Sequence, residues 1–125
     1  MKRIAFILSI VLISLFSMCN AQSNRSEAAT MAKQFGYYVA FGDAVKASFN
    51  VSPSSDITEY VNQAKDEIDQ NGGLKEILID NEEVVNSNES KVTVTFVCKK
   101  EDVKIQKTYT LLKQNDSWKI ATDKL

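Results

Sequence analysis

Four tyrosines, Cys98 and an acidic run at Asp80, Glu82 and Glu83 are the places in this sequence where side-chain chemistry could reside, and histidine is absent throughout. That absence removes the commonest general base and the commonest zinc ligand together. Cys98 would need a base and an electropositive setting to act as a nucleophile. Lys99 and Lys100 are adjacent, but Cys98 alternates with Val92, Val94 and Phe96 and reads as a small buried hydrophobe. A calcium site would need six to eight oxygens from a preorganised loop, usually with glycine at the turn. The segment around Asp80 has neither that glycine nor the alternating Asp pattern, and reads as a solvated strand edge or bulge. No catalytic residue, no metal site and no cofactor is therefore expected. The tyrosines remain: Tyr37, Tyr38, Tyr60 and Tyr109 offer hydrogen-bonding hydroxyls on aromatic bodies, the chemistry of a small-molecule wall rather than of a phosphate or metal site. Three Asn-x-Ser triplets, at Asn50, Asn88 and Asn115, form a pattern too common to carry weight.

Two helices and a run of strands must position these residues. Ala28, Ala32, Phe35 and Val39 recur at helical spacing, with Met31 and Tyr38 widening the stripe and Asn24 and Glu27 spaced as a reciprocal cap. Gly36 inside this helix costs about 1 kcal/mol relative to alanine, so something is expected to pack closely against it. Gly42-Asp43 closes the helix, and a short turn over Asp43 to Phe49 follows. After the break Ser52-Pro53-Ser54-Ser55, Asp56 and Glu59 form another cap pair ahead of Ile57, Tyr60, Val61, Ala64 and Ile68, and Gly72-Gly73 stops that helix. From Leu74 the period drops to two. Leu74 to Val85 holds two short β-branched clusters. Lys91 to Lys99 alternates cleanly, and two further runs carry Val103, Ile105, Tyr109 and Leu111, then Trp118 and Ile120. The polar joins are short enough for hairpins. Lys107 is the exception to the pattern: periodicity places this charge on the face of Ile105 and Tyr109, at a pocket mouth or on a bulge. Helices followed by hairpin-linked strands predict an α+β fold, with N-terminal helices packed on one face of an antiparallel sheet of about four strands.

The first twenty-one residues stand apart. Lys2 and Arg3 precede an apolar run, Ile4 to Phe16, that is shorter than the roughly 20 residues a spanning helix requires. This reads as an export signal over residues 1–21, with cleavage between Ala21 and Gln22 and Cys19 at the −3 position. The alternative is lipidation at Cys19, which sets bulky Met18 next to the cut. The expected location is outside the cytoplasm, in the periplasm or cell envelope, with membrane attachment only through a lipidated Cys19. Of the 15 basic residues two, Lys2 and Arg3, precede residue 22 and all 16 acidic ones follow it, leaving residues 22–125 at −3. That balance argues against nucleic acid as a partner. With Cys98 the one cysteine after such a cut, no internal disulfide is available. Residues 22–125 are the length of a single domain.

The order of parts also carries a resemblance. A first helix ends in Phe41-Gly42-Asp43, a helical turn follows, a longer helix runs into Gly72-Gly73-Leu74, and the strands end on Asp116-Ser117-Trp118-Lys119-Ile120. This resembles small exported domains of unknown function in the nuclear-transport-factor-2-like (NTF2-like) superfamily, to which lumazine-binding-like domains are similar, and the leader resembles those of Bacteroidetes. The resemblance covers most of residues 26–123. It implies a cystatin-like cone, a curved sheet whose concave side, covered by helices, can hold a small molecule. Enzymes of the superfamily usually place Asp, His or Tyr there as acid or base. This chain has no histidine to place, and none of its Asp or Tyr residues matches a catalytic motif. The expected pocket residues are Phe35, Tyr38 and Val39 from the first helix, with Tyr60, Tyr109 and Trp118 opposite. The expected function is a non-enzymatic binding or accessory domain whose partner is a small amphipathic molecule or an envelope protein. The alternatives are a small enzyme with a tyrosine and carboxylate in the cone, or a structural or immunity-type interaction domain, dimerising through its sheet.

Overall fold

The computed structural model describes residues 26–125. Its elements are α1 (Glu27–Ala40), α2 (Ala44–Ser48), β1 (Val51–Ser52), α3 (Thr58–Gln70), β2 (Leu74–Asn86), β3 (Glu89–Cys98), β4 (Lys104–Gln114) and β5 (Ser117–Ala121), with a closing 3-10 turn at Thr122–Lys124. The predicted α+β architecture is present: helices lie on one curved, unclosed sheet of order β1-β5-β4-β3-β2. The expected export signal, the Ala21–Gln22 cut, Cys19 and Asn24 all lie outside the described residues.

Alternation drives the centre of the fold. Val92, Val94, Phe96 and Cys98 on β3 all point inward and are fully buried, joined by Tyr109 and Leu111 from β4 and Ile120 from β5. The α1 stripe closes on them with Ala32, Phe35 and Val39, and α3 adds Val61, Ala64 and Ile68. Gly36 has the expected close neighbours. A Cβ there would sit 3.4 Å from Ile77 Cδ1 and 3.4 Å from Phe96 Cε1, the near edge of ordinary van der Waals contact, so the α1 backbone lies close against the side chains of the sheet. The tips of two hairpins use residues with positive φ, Glu101 and Asp102 at 55° and 52° and Asn115 and Asp116 at 50° and 63°. Two consecutive residues of this kind make the turn whose twist matches the flanking strands.

Four local expectations differ from what is observed. The sheet has five strands, because Val51–Ser52 adds to its edge, Val51 pairing in parallel with Ile120. A two-residue strand has no period to display, and its partner is distant in sequence. Leu74–Asn86 is one strand rather than two clusters. Register shifts between Leu74 and Glu76, Ile79 and Asn81, and Val84 and Asn86 insert extra residues that break the alternation. The cap of α1 is Ser26, whose Oγ accepts from the Ala29 amide. Asp56 does not cap α3 across three residues; its Oδ1 accepts from the Thr58 amide at 2.9 Å and the Thr58 hydroxyl at 2.6 Å, and Ile57 occupies the cap position. A short Asx-type bond within two residues outcompetes the longer reciprocal pair.

Candidate functional site

An aromatic triad joins α1, α3 and β4 in the interior. Phe35 is fully buried on the α1 stripe and meets the Tyr109 ring edge-on at 5.1 Å between centroids. The Tyr60 ring lies nearly parallel to Phe35 at 6.4 Å. The two tyrosines reach each other across the gap between α3 and β4, with hydroxyl oxygens 2.8 Å apart. Tyr109 is sealed, while Tyr60 is partly exposed and carries the triad to the surface.

Burial pushes the Tyr60 phenol above its ordinary range, opposed by the hydrogen bond to Tyr109 and reinforced by the charge of Glu67. Burial likewise raises Tyr109, well above 10.0, with Tyr60 adding to the effect. Both phenols are therefore neutral near pH 7, serving as hydrogen-bond donors and acceptors rather than bases. The linkage to stability has a definite sign. The unfolded tyrosines release protons near pH 10 while the folded pair retains them, so the pair's contribution is intact below that pH and falls as pH rises through the folded values. Denaturant midpoints measured from pH 8 to pH 11 should fall at the alkaline end, and more gently in Tyr109→Phe. Lys65 beside Asp69 and Lys75 beside Asp102 also lose their exposed pairings there, and the variant comparison cancels them.

Two surface depressions flank Tyr60. One of about 330 Å³ is lined by Ser55, Asp56, Ile57, Glu59, Tyr60, Gln63, Thr122 and Leu125. A smaller one of about 130 Å³ is lined by Tyr60, Gln63, Ala64, Glu67 and Lys107. Tyr60 and Gln63 form the wall common to both, so the pair makes one groove along α3 toward β4. Lys107 lies at the inner end of that groove. The β3–β4 register runs without a shift and sets Lys107 opposite buried Val94, which settles its inward placement without a bulge. A third depression, about 200 Å³, lies between α2 and the Ser54–Thr58 segment.

The six residues expected to line a pocket are thus distributed unevenly. Phe35, Tyr60 and Tyr109 come together. Val39 is fully buried and Tyr38 and Trp118 are half-buried against the core, and of the six only Tyr60 lines the depressions just described. Tyr38 receives the Gln34 amide at 3.0 Å, and the Lys113 ammonium stands 6.0 Å from the Trp118 ring. Gln63 and Glu67 also belong to the groove, and neither was among the expected site residues. Their spacing from Tyr60, three and seven residues, was the signal that they share its stripe. The acidic cluster has a structural use: Glu82 accepts from the Ser26 hydroxyl at 2.6 Å and Asp80 bonds Gln106, tying the start of α1 and β4 to β2. Among the described residues no group of three Cys, Asp or Glu side chains could hold a metal ion. Cys98 is sealed, and burial first and the Glu67 charge second push its thiol up. Thiol labelling of the native protein should accordingly be slow and should accelerate in denaturant; rapid stoichiometric labelling without denaturant would contradict this.

No protein-family model matches the sequence, and no curated protein matches it. The structure is similar to the crystal structure of a Campylobacter jejuni protein named as an NTF2-like transpeptidase, with TM-score 0.67 at 22% identity, covering 74% of this chain and 94% of that one. The fold is therefore NTF2-like, as the order of helices and strands implies.

Proposed function

We propose that this chain is an exported, non-enzymatic binding or accessory domain that holds a small amphipathic molecule at the mouth of its cone. The observation that carries the reading is the Tyr60–Tyr109 hydroxyl pair, backed by Phe35 and opening through Tyr60 into the groove along α3. Aromatic backing with a few convergent polar groups is the usual composition of a small-molecule site. Neutral phenols favour recognition over proton abstraction. Export rests on Lys2 and Arg3, the apolar run and the Ala21–Gln22 junction. The name of the Campylobacter protein does not transfer, since one fold hosts many activities.

A second reading, a small enzyme with a tyrosine and a carboxylate, is favoured by one observation: Glu67 lines the same depression as Tyr60. Mass spectrometry of protein purified from its host under native conditions separates the readings. The expected result is a chain beginning at Gln22 whose organic extract contains a stoichiometric small molecule that a Tyr60→Ala variant lacks. A lipid-modified chain beginning at Cys19 would replace release of the domain by membrane anchoring. A chain that carries no molecule and turns over a small substrate would favour the enzyme.

A further inference from the structure

We infer that the inner end of the groove, at Lys107, takes the carboxylate of a small organic monoacid, an inference that rests on the binding reading above and names the chemistry of its ligand. Lys107 occupies an anomalous position for a charged residue. Residues opposite one another in an antiparallel pair project to the same face. Lys107 opposes Val94 and precedes Tyr109 by two residues, so its stem leaves the sheet on the core side, where an aliphatic residue would extend the buried cluster. Its side chain is 27% exposed and lines the 130 Å³ depression together with Glu67. Among the described residues Nζ makes no hydrogen bond; its ion-pair partner, Glu67 Oε1, is 3.8 Å away, beyond hydrogen-bonding distance. A lysine in this setting has three N–H donors and a carboxylate too far away to accept from any of them.

The surrounding groups favour an anionic acceptor of limited size. Tyr60 and Gln63 stand on the same rim, and among the described residues the Gln63 amide is held by one 3.3 Å bond, to Glu59. Ammonium and amide present two kinds of donor around one small space walled by the Tyr60 ring, and hydrogen bonds from an ammonium to a carboxylate are stronger than neutral ones. Glu67 is half exposed and turns outward when a ligand carboxylate takes its place. The body of the acid lies across Tyr60 into the larger depression, where Ile57 and Leu125 supply apolar contact. Asp56 and Glu59 line that far end, so a second negative charge is repelled there, and the groove selects one carboxylate rather than two.

Benzoate, its neutral isostere benzamide and the diacid terephthalate are the probes, titrated by NMR against the chain from Gln22. Benzoate should shift the amide signals of Tyr60, Gln63 and Lys107 and bind about tenfold more tightly than benzamide, the size of one charge-assisted hydrogen bond. Terephthalate should bind more weakly than benzoate. Lys107→Met should abolish the preference for benzoate over benzamide, and Glu67→Gln should strengthen benzoate binding by removing both repulsion and competition. Equal affinities for benzoate and benzamide at these residues, or a Lys107→Met variant that keeps the preference, would overturn the carboxylate assignment and leave the binding reading intact. Failure of both probes to shift these signals would also overturn it. The binding reading itself falls only if the host protein carries no small molecule.

Discussion

Phe35→Ala should destabilise the protein by about 3–5 kcal/mol, as expected for emptying a filled aromatic site. The residue is fully shielded, and its loss removes partners from two other rings at once, the edge contact to Tyr109 and the stacked contact to Tyr60. Aromatic pairs of this geometry add about 0.5–1.5 kcal/mol beyond the area they bury. Set against a total of about 5–15 kcal/mol for a domain, this is a large fraction. Urea denaturation followed by circular dichroism measures it. Phe41→Ala is the control: that ring stands at the C-terminal cap of the same helix but is 66% exposed, and its removal should change stability by no more than about 0.5 kcal/mol. Equal losses in the two variants would show that Phe35 is not the central contact of the triad. Because Tyr60 and Tyr109 are oriented by Phe35, the same substitution should also remove binding at the groove in whatever fraction of the protein stays folded.

Gly72→Ala should cost about 2–4 kcal/mol, combining backbone strain with overpacking. Gly72 sits at φ 90°, where side chains are rarely accommodated. It also faces the β3–β4 hairpin: a Cβ there would lie 3.0 Å from the Lys100 amide nitrogen, a backbone atom that cannot turn aside. That amide donates to Asn71 O at 2.9 Å, and the Lys99 amide to Gly73 O at 3.0 Å, so the end of α3 is pinned to the hairpin at this joint. The neighbouring Gly73 has almost the same φ, 89°, with no atom near its missing Cβ. Gly73→Ala should therefore lose only the conformational part, about 1–2 kcal/mol. The difference between the two alanine variants measures the contact with Lys100. If they cost the same, that contact carries no energy. The joint has a functional consequence, because α3 carries Tyr60, Gln63 and Glu67, and its end is fixed here relative to the sheet that carries Tyr109 and Lys107.

Much of this architecture is legible in the residue pattern, for reasons that are local. A helix buries every third or fourth residue, so Ala32, Phe35 and Val39 mark the inner face of α1 directly. A strand buries every second, so Val92, Val94, Phe96 and Cys98 mark that of β3. Gly36 announces its close contact because a glycine inside a helix is otherwise unfavourable. Lys107 announces itself in the same way, as a charge out of phase with its strand. The bulges of β2 and the short β1 were hidden, since each depends on a pairing with a strand elsewhere in the chain and leaves no period of its own.

What residue types and spacing determined by themselves was the succession of helices and strands, their buried faces, the absence of histidine chemistry and the enclosure of Cys98. Only the tertiary structure decided which tyrosines meet. Tyr37, Tyr38, Tyr60 and Tyr109 are equivalent as residues, yet Tyr60 and Tyr109 share a hydrogen bond across 49 positions of sequence, while Tyr37 stacks on Phe41 at the surface. Likewise no local pattern joins Gln63 and Glu67 to Lys107, and only the packing of α3 against β4 sets all three around one depression. Periodicity tells each element which side to bury. The angle at which α3 crosses the curved sheet comes from the packing of all the buried side chains together, and that angle decides what faces the groove.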